Sequence, residues 1–147
     1  IKRLLKKCSA GIVNGIDYSA VSVEKSKKVN KADVAKNRCE ILQGSVADMI
    51  FADNRFDTVT AFETVYFWQD LPQCFREVWR VLKPGGTFFI CNESSGDTDK
   101  DEKWTKIITG MTIYKDTELK AYLEQAGFHD VQAYKNKMGW LCVTAKK

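Results

Sequence analysis

The residues best suited to chemistry lie in segment 63–69, which reads Glu63-Thr64-Val65-Tyr66-Phe67-Trp68-Gln69. This segment places one carboxylate, Glu63, beside four large apolar or aromatic side chains. Such surroundings exclude water from a ligand while offering it one directed hydrogen-bond acceptor. A loop that only connects two elements is typically short and polar. We therefore predict that segment 63–69 forms one wall of a ligand pocket. The alternative is a loop whose aromatic rings pack onto the following helix.

The flanking sequence predicts a strand, a helix and a second strand. Residues 56–62 and 87–91 are short, apolar runs of the kind found in buried parallel strands. Asp70 is suited to cap the intervening helix, and Lys83-Pro84-Gly85-Gly86 is suited to end it. A strand–helix–strand of this length usually joins two parallel strands by a right-handed crossover. Segment 63–69 would then leave the carboxyl end of a strand, where open α/β sheets bind ligands.

The other elements follow from the same criteria and complete an α/β pattern. We predict helices over 1–8 and 19–37, a helix around 104–111 and another from 116 to 126. Further strands are expected at 12–17, 39–44, 128–134 and 140–144, the last two forming an antiparallel hairpin at the carboxyl terminus. Segment 94–103 is polar and acidic, and we expect it to be a mobile loop.

Length and composition indicate one ordinary globular domain. The chain has 147 residues, 44% of them hydrophobic and 29% charged. No apolar run is long enough for a membrane span, and no signal peptide is recognisable, so we expect a cytoplasmic protein with no membrane partner. The five cysteines form no CxxC pair and mostly lie in apolar segments. We therefore expect reduced, packed thiols and neither a metal site nor a disulfide framework.

The positive charge is concentrated near the amino terminus, within Glu24-Lys25-Ser26-Lys27-Lys28-Val29-Asn30-Lys31. A basic stretch of this kind can contact nucleic acid when aromatic residues interleave with it for base stacking. None does here. A solvated helix face is the better interpretation, and we expect no nucleic-acid partner.

Three segments together resemble the successive motifs of class I S-adenosylmethionine-dependent methyltransferases. They are residues 15–19 (Gly-Ile-Asp-Tyr-Ser), 44–57 (Gly-Ser-Val-Ala-Asp-Met-Ile-Phe-Ala-Asp-Asn-Arg-Phe-Asp) and 77–86 (Glu-Val-Trp-Arg-Val-Leu-Lys-Pro-Gly-Gly). The likeness is greatest to the bacterial small-molecule branch, alongside the ubiquinone/menaquinone-biosynthesis type. It implies a Rossmann-like, doubly wound, mostly parallel sheet that ends in an antiparallel hairpin. It also implies methyl transfer from S-adenosylmethionine to a small-molecule acceptor.

The chain departs from this family at its amino terminus. The first strand and the glycine-rich loop of the family precede the helix with which this sequence begins, and neither is present. In the family fold that strand is central, lying between the strands that end here at Asp17 and Phe62. We therefore expect residues 1–147 to be part of a single methyltransferase domain, with two open sheet edges.

The resemblance assigns cofactor contacts to both predicted sheet regions. Asp17 matches the acid that accepts hydrogen bonds from the ribose diol; its alternative role is that of a turn or helix-capping residue. Tyr18 would cover the adenine face, and Ser45 and Val46 match the positions along the adenine edge. Asp48 either helps there or caps the following turn.

The methionine end of the cofactor would pass Phe62 and Glu63. Glu63 would also orient an acceptor or take its proton, and Tyr66 would line the acceptor side, which makes these two the catalytic candidates. Methyl transfer from a sulfonium is an in-line displacement, so alignment and exclusion of water supply much of the rate. A general base is not obligatory if the acceptor is already nucleophilic, and the single histidine, His129, is not expected to be catalytic.

Two other functions remain open from the sequence. An RNA or protein acceptor would need the basic helix near the mouth of the pocket, whereas that helix is expected on a sheet face. A non-catalytic fragment or Rossmann-like binding module would account for the missing glycine-rich loop.

Overall fold

The computed structural model describes residues 1–97 and 99–147. Helices and strands alternate along much of the chain. The helices are α1 (Lys2–Lys7), α2 (Ala20–Val29), α3 (Lys31–Ala35), α4 (Leu71–Val81), α5 (Asp99–Ile107) and α6 (Asp116–Gln125), with a short 3-10 helix at Val65–Phe67. The strands are β1 (Val13–Asp17), β2 (Cys39–Gln43), β3 (Phe56–Phe62), β4 (Leu82–Asn92), β5 (His129–Lys135) and β6 (Leu141–Lys146). None of the helices in these two ranges has the length and apolarity needed to cross a membrane.

The elements group into an amino-terminal unit, Ile1–Ile50, and a carboxy-terminal unit, Phe51–Lys147. In the amino-terminal unit β1 and β2 pair in parallel, from Val13 opposite Cys39 to Asp17 opposite Gln43. A small apolar core holds this pair against the helices. Its buried members are Leu5, Val13, Val23, Cys39 and Ile41.

The carboxy-terminal unit contains a four-stranded sheet in the order β3-β4-β6-β5. β3 and β4 are parallel, whereas β6 pairs antiparallel with both β4 and β5. The predicted parallel strands around α4 and the predicted terminal hairpin are therefore confirmed, as is the mixed α/β class. Among the described residues β1 has a sheet partner only in β2, and β3 only in β4. That a central strand is missing, and that residues 1–147 belong to one domain, stay predictions.

Helix α4 is specified locally in the way its sequence predicts. The side chain of Asp70 accepts a hydrogen bond from the backbone N–H of Gln73 at 3.0 Å, and Pro72 lies in the first turn, where a missing N–H costs little. The apolar stripe of the helix is buried, with Leu71, Cys74, Phe75, Val78 and Val81 in the core. Burial of such side chains contributes roughly 1.5–3 kcal/mol each.

An aromatic cluster joins α4 to the sheet. Phe75 contacts Phe88 of β4 edge-to-face at 5.7 Å between ring centroids, and Phe88 also lies 5.8 Å from Phe128. Both Phe75 and Phe88 are completely buried. This cluster fixes the helix over the two parallel strands that carry segment 63–69.

Two predicted boundaries are wrong for identifiable reasons. Segment 83–86 is not a turn before a strand, because β4 already begins at Leu82. The pairing with β3 shifts from Phe56 opposite Leu82 to Thr58 opposite Thr87, so the additional residues of β4 form a bulge, in which Gly85 has φ +75°.

The helix predicted over 19–37 is divided at Asn30, whose side-chain amide donates to the carbonyl of Ser26 at 2.8 Å. An asparagine that bonds its own backbone competes with helix continuation.

The mobile loop predicted over 94–103 is also corrected in part. Helix α5 begins at Asp99, so the second half of that segment is helical. Thr98, which belongs to the predicted loop, lies outside the described residues.

The glycine after α6 yields the first testable prediction. Gly127 has φ +102°, and a Cβ there would lie 3.1 Å from Nε1 of Trp79. Gly139 has φ +86° but open space around the same position, so it is a matched control. Both alanine variants should lose roughly 1–2 kcal/mol for the left-handed backbone. Gly127→Ala should lose about 1 kcal/mol more, because Trp79 must shift. Urea unfolding of the purified protein measures the difference, and equal losses would contradict the proposed contact.

Candidate functional site

The amino-terminal unit brings its four predicted cofactor residues to one sheet edge. Asp17 is the last residue of β1 and Tyr18 follows it, whereas Ser45 and Val46 follow β2 after Gly44. Because β1 and β2 are parallel, both carboxyl ends lie at the same edge, where α/β folds bind ligands. The backbone N–H of Gly44 donates to the carbonyl of Asp17 at 3.0 Å, which ties the two strand ends together.

The two oxygens of the Asp17 carboxylate differ in their hydrogen bonding. Oδ1 accepts a hydrogen bond from the backbone N–H of Ser19 at 2.8 Å, and Ser19 in turn caps α2. Oδ2 has no hydrogen-bond partner within the part of the chain that the structure describes. Asp17 is therefore a turn residue, as one interpretation of the sequence held, and it still presents an unused carboxylate oxygen at the edge.

The other three residues add a flat surface and two donors. Tyr18 is 77% exposed and lies directly beside Asp17. The hydroxyl of Ser45 accepts a hydrogen bond from the N–H of Ala47 at 3.1 Å and keeps its own proton to donate. The backbone N–H of Val46 has no acceptor among residues 1–97 and 99–147. An acceptor, two donors and an aromatic ring along one edge fit a nucleoside with a diol and a purine.

In the carboxy-terminal unit, Glu63 directly follows the last residue of β3. Its backbone N–H donates to the carbonyl of Cys91 in β4 at 3.0 Å, which extends the parallel pairing by one bond. The residue has φ +55°, a left-handed conformation that is uncommon for glutamate. Neighbouring Phe62 is 48% exposed and packs on Phe89 with 5.6 Å between ring centroids. A strained backbone conformation persists only where the surrounding structure holds it in place, and such residues are common at functional sites.

The carboxyl group of Glu63 is weaker as an acid than an ordinary glutamate. Although the residue as a whole is exposed, nearby atoms desolvate its carboxyl, and this raises its pKa. The negative charge of Glu93 raises the pKa further, whereas a hydrogen bond from the Glu93 backbone opposes the shift. A carboxylate of raised pKa is a better proton acceptor near neutral pH.

Tyr66 is held inside the carboxy-terminal unit. Its side chain is 3% exposed, and its hydroxyl accepts a hydrogen bond from the N–H of Ser94 at 2.8 Å. The same hydroxyl lies 3.3 Å from the Ser94 carbonyl, to which it donates, and the Tyr66 carbonyl accepts from the N–H of Thr112 at 2.8 Å. Burial raises the pKa of Tyr66 to about 12, so the hydroxyl stays protonated at neutral pH. These contacts give the ring a structural role, and its contact with an acceptor stays a prediction.

The remaining aromatic residues of segment 63–69 divide between core and surface. Trp68 stacks on Phe88 and meets Phe75 of α4 edge-to-face, as the alternative interpretation expected. Phe67 is 41% exposed. Within segment 63–69 the pocket-wall prediction therefore rests on Glu63 and Phe67, and it stays a prediction.

Sequence reasoning missed Glu93 and Ser94 as neighbours of Glu63 and Tyr66. Both directly follow β4, the strand beside β3. The rule that ligands bind at the carboxyl ends of parallel strands was applied to β3 and would have indicated these residues too. His129 lies at the start of β5, exposed, with Nδ1 3.1 Å from Oδ2 of Asp130. Within the described residues, no cluster of three or more histidine, cysteine or acidic side chains could hold a metal ion.

Comparison with known proteins assigns the chain to a family. Residues 1–90, more than half of the chain, match the methyltransferase domain family. The chain belongs to that family. The resemblance seen in its sequence motifs to class I S-adenosylmethionine-dependent methyltransferases of the small-molecule type is thereby confirmed.

Two relatives show how similar the chain is to other members of this family. Cycloartenol-C-24-methyltransferase of Arabidopsis thaliana is 28% identical over 135 residues, which are 86% of this chain and 40% of the relative. Demethylmenaquinone methyltransferase of Symbiobacterium thermophilum is 36% identical over 85 residues, 58% of this chain and 34% of the relative. The chain thus spans less than half the length of these relatives.

Solved structures confirm the Rossmann-like methyltransferase fold. A chain from the complex between the Haloferax volcanii Trm112 methyltransferase activator and a methyltransferase superposes with a TM-score of 0.85 at 21% identity, covering 99% of this chain and 76% of that one. An S-adenosylmethionine-dependent methyltransferase from Aquifex aeolicus gives 0.78 at 20% identity, covering 99% and 74%. The [4+2]-cyclase SpnF gives 0.79 at 18% identity, covering 99% and 70%. At these identities the likeness establishes the fold alone, because one fold hosts different reactions.

The buried Tyr66 hydroxyl provides the second prediction. Tyr66→Phe should destabilise the protein by about 1–3 kcal/mol, because the buried N–H of Ser94 loses its acceptor. Tyr122→Phe is the control: its ring is half-buried on Tyr114, and its hydroxyl makes no hydrogen bond to a described residue. Denaturant unfolding near neutral pH compares the two variants.

The stability difference between the wild-type protein and Tyr66→Phe should also depend on pH. Unfolded tyrosine ionises near pH 10, whereas folded Tyr66 ionises at about 12. Between these values the folded state binds more protons than the unfolded state, so stability falls as pH rises. The advantage of the wild-type protein over Tyr66→Phe should therefore be complete below about pH 10 and shrink toward pH 12. A constant difference across that range would contradict the burial of this hydroxyl.

Proposed function

We propose that the protein to which this chain belongs transfers a methyl group from S-adenosylmethionine to a small-molecule acceptor. The observation that carries this proposal is the unused oxygen of Asp17 beside exposed Tyr18, at a parallel-strand edge in a chain of the methyltransferase domain family. The names of the relatives support the acceptor class, since they include sterol, demethylmenaquinone and glycine methyltransferases.

The adenosine part of the cofactor would bind to the amino-terminal unit. Oδ2 of Asp17 would accept hydrogen bonds from the ribose hydroxyls, each worth about 1.5–3 kcal/mol because the acceptor is charged. The unpartnered N–H of Val46 would donate to the purine edge, with the Ser45 hydroxyl beside it. The ring of Tyr18 would cover the purine face. Hydrogen-bonding groups left unused at a strand edge support this arrangement.

The methionine part would lie against Phe62 and Glu63. When bound, the cofactor supplies a methyl group on a positively charged sulfur, which an acceptor attacks in line. Phe62 would exclude water on one side, and the strained backbone of Glu63 would hold its carboxyl in a fixed direction. Glu63 would orient the acceptor and take its proton where the acceptor is not already nucleophilic. Its raised pKa suits that role.

A cytoplasmic location is part of the same proposal. All five cysteines are free thiols in the structure, as expected for a reducing compartment.

The third prediction separates the two tasks of Asp17. Asp17→Asn keeps an oxygen for the N–H of Ser19 but removes the negative charge. We expect the affinity for S-adenosylmethionine to fall roughly 10- to 100-fold, corresponding to one lost charge-assisted bond. The control is Glu24→Gln, which removes an equal charge from an exposed ion pair with Lys27 on α2. Isothermal titration calorimetry measures both, and unchanged affinity in Asp17→Asn would rule out the diol contact.

The fourth prediction concerns Glu63 as a proton acceptor. Release of S-adenosylhomocysteine is followed with a sterol, a demethylated quinone and glycine as trial acceptors. If the ionised carboxylate is the active form, turnover rises with pH through a pKa above the ordinary glutamate value of about 4.3. Glu63→Gln should lose this acidic limb and slow turnover about 100-fold, within the range of general-base contributions.

Glu93→Gln is the matched control for that experiment. Removal of its negative charge leaves Glu63 in place and relieves one cause of the raised pKa. The acidic limb should therefore persist and move to lower pH. A limb that survives in Glu63→Gln would show that another group accepts the proton. Turnover absent from the wild-type protein while S-adenosylmethionine binds would favour a non-catalytic binding module.

A further inference from the structure

Two cysteines lie directly opposite each other on neighbouring strands. Cys91 of β4 is paired with Cys142 of β6 in the antiparallel register. Their sulfur atoms are 3.3 Å apart, with the Cys142 thiol donating to Sγ of Cys91. The two residues are separated by 51 positions in sequence, so neither the spacing nor any motif in the chain indicates this pair.

The backbone hydrogen bonds show which type of antiparallel pair this is. The carbonyl of Cys91 accepts from the N–H of Glu63, so the polar backbone groups of Cys91 face β3 and not β6. At the other end of the ladder, the N–H of Lys147 donates to the carbonyl of Gly86, so these two residues form a hydrogen-bonded pair. The two pair types alternate along an antiparallel ladder, and Cys91 lies an odd number of residues after Gly86. Cys91 and Cys142 therefore form a non-hydrogen-bonded pair. In such pairs the Cα atoms are about 4.5 Å apart and the side chains approach most closely.

This geometry suits a covalent bond between the two sulfurs. A disulfide needs Cα atoms 4.4–6.8 Å apart, a range that includes antiparallel pairs of this type. Both cysteines are half-buried, so small reagents have access to the pair. Cys8 is exposed, whereas Cys39 and Cys74 are buried, and no contact between any of these three sulfurs and another sulfur is found among the described residues.

We propose that Cys91 and Cys142 form a reversible dithiol–disulfide site, oxidised by exchange with a small-molecule disulfide. One cysteine, as thiolate, attacks a sulfur of the reagent, which forms a mixed disulfide and releases one small thiol. The second cysteine then attacks the protein sulfur of the mixed disulfide and releases the second small thiol. The protein pair loses two electrons and two protons, and the reagent gains them.

The surroundings set the rate of this exchange. Burial, first of all, and the negative charges of Glu63 and Glu93 raise the pKa of Cys91 to about 12. Since the thiolate is the attacking species, exchange is slow at neutral pH and faster in mildly alkaline solution. The pair is therefore expected to oxidise slowly at neutral pH.

The fifth prediction tests this site with glutathione disulfide as the reagent. The purified protein is incubated at about pH 9, where more thiolate is present. Remaining thiols are alkylated, and peptides are mapped by mass spectrometry without reduction. We expect a linked pair of peptides containing Cys91 and Cys142, which dithiothreitol separates again. The linked protein should also melt on the order of 5 °C higher than the reduced protein, because the cross-link restricts the unfolded chain.

Variants make the outcome decisive. Cys91→Ser and Cys142→Ser should each abolish the linked peptides and the thermal shift, leaving the remaining cysteine as a glutathione adduct or a free thiol. Cys8→Ser replaces an exposed cysteine and should change neither result. The proposal is overturned if Cys91 and Cys142 are recovered as alkylated thiols once Cys8 has fully reacted. It is equally overturned if either is found linked to a different cysteine.

Discussion

The backbone hydrogen bond from Glu63 to the carbonyl of Cys91 fixes the arrangement of the carboxy-terminal unit. It closes the parallel pairing of β3 with β4 and leaves Glu63 at the strand end in a left-handed conformation. The same bond directs the backbone N–H and C=O of Cys91 toward β3. Cys91 therefore forms a non-hydrogen-bonded antiparallel pair with Cys142, in which the two side chains approach closely. One strand register therefore determines both the candidate acceptor site and the dithiol, although the two have separate chemistry.

A similar constraint acts in the amino-terminal unit. The N–H of Gly44 bonds the carbonyl of Asp17, and Ser19 occupies one oxygen of the Asp17 carboxylate. The backbone bond holds the two strand ends together, and the side-chain bond orients the carboxylate. A carboxylate has about four lone-pair sites, so one internal hydrogen bond leaves capacity for a ligand. The structural and binding roles of Asp17 are therefore compatible, and part of the cost of orienting the side chain is met before a ligand arrives.

The sequence predicted what is encoded locally. The cap at Asp70, the end of α6 at Gly127 and the existence of all six strands follow from residue type and periodicity, and the strand bounds are close to those expected except at the start of β4. Features that depend on distant contacts were not accessible. Nothing near Tyr66 shows that its hydroxyl bonds Ser94, 28 residues away, and so turns the ring inward. The helix break at Asn30 depends on a side-chain hydrogen bond that competes with the helix, and the bulge before Thr87 depends on the register between β4 and β3. Hydrophobic periodicity reports neither of them.

The carboxylate of Glu63 and the cysteine pair Cys91–Cys142 also interact electrostatically. The carboxylates of Glu63 and Glu93 disfavour the thiolate of Cys91. Interaction between charges is mutual, so a thiolate at Cys91 would in turn disfavour ionisation of Glu63. A positive group near Glu63, such as the sulfonium of the proposed cofactor, offsets part of this negative potential and favours both ionised forms. If the proposed placement of the cofactor holds, its binding would couple to thiol reactivity through the electric field at the ends of β3 and β4.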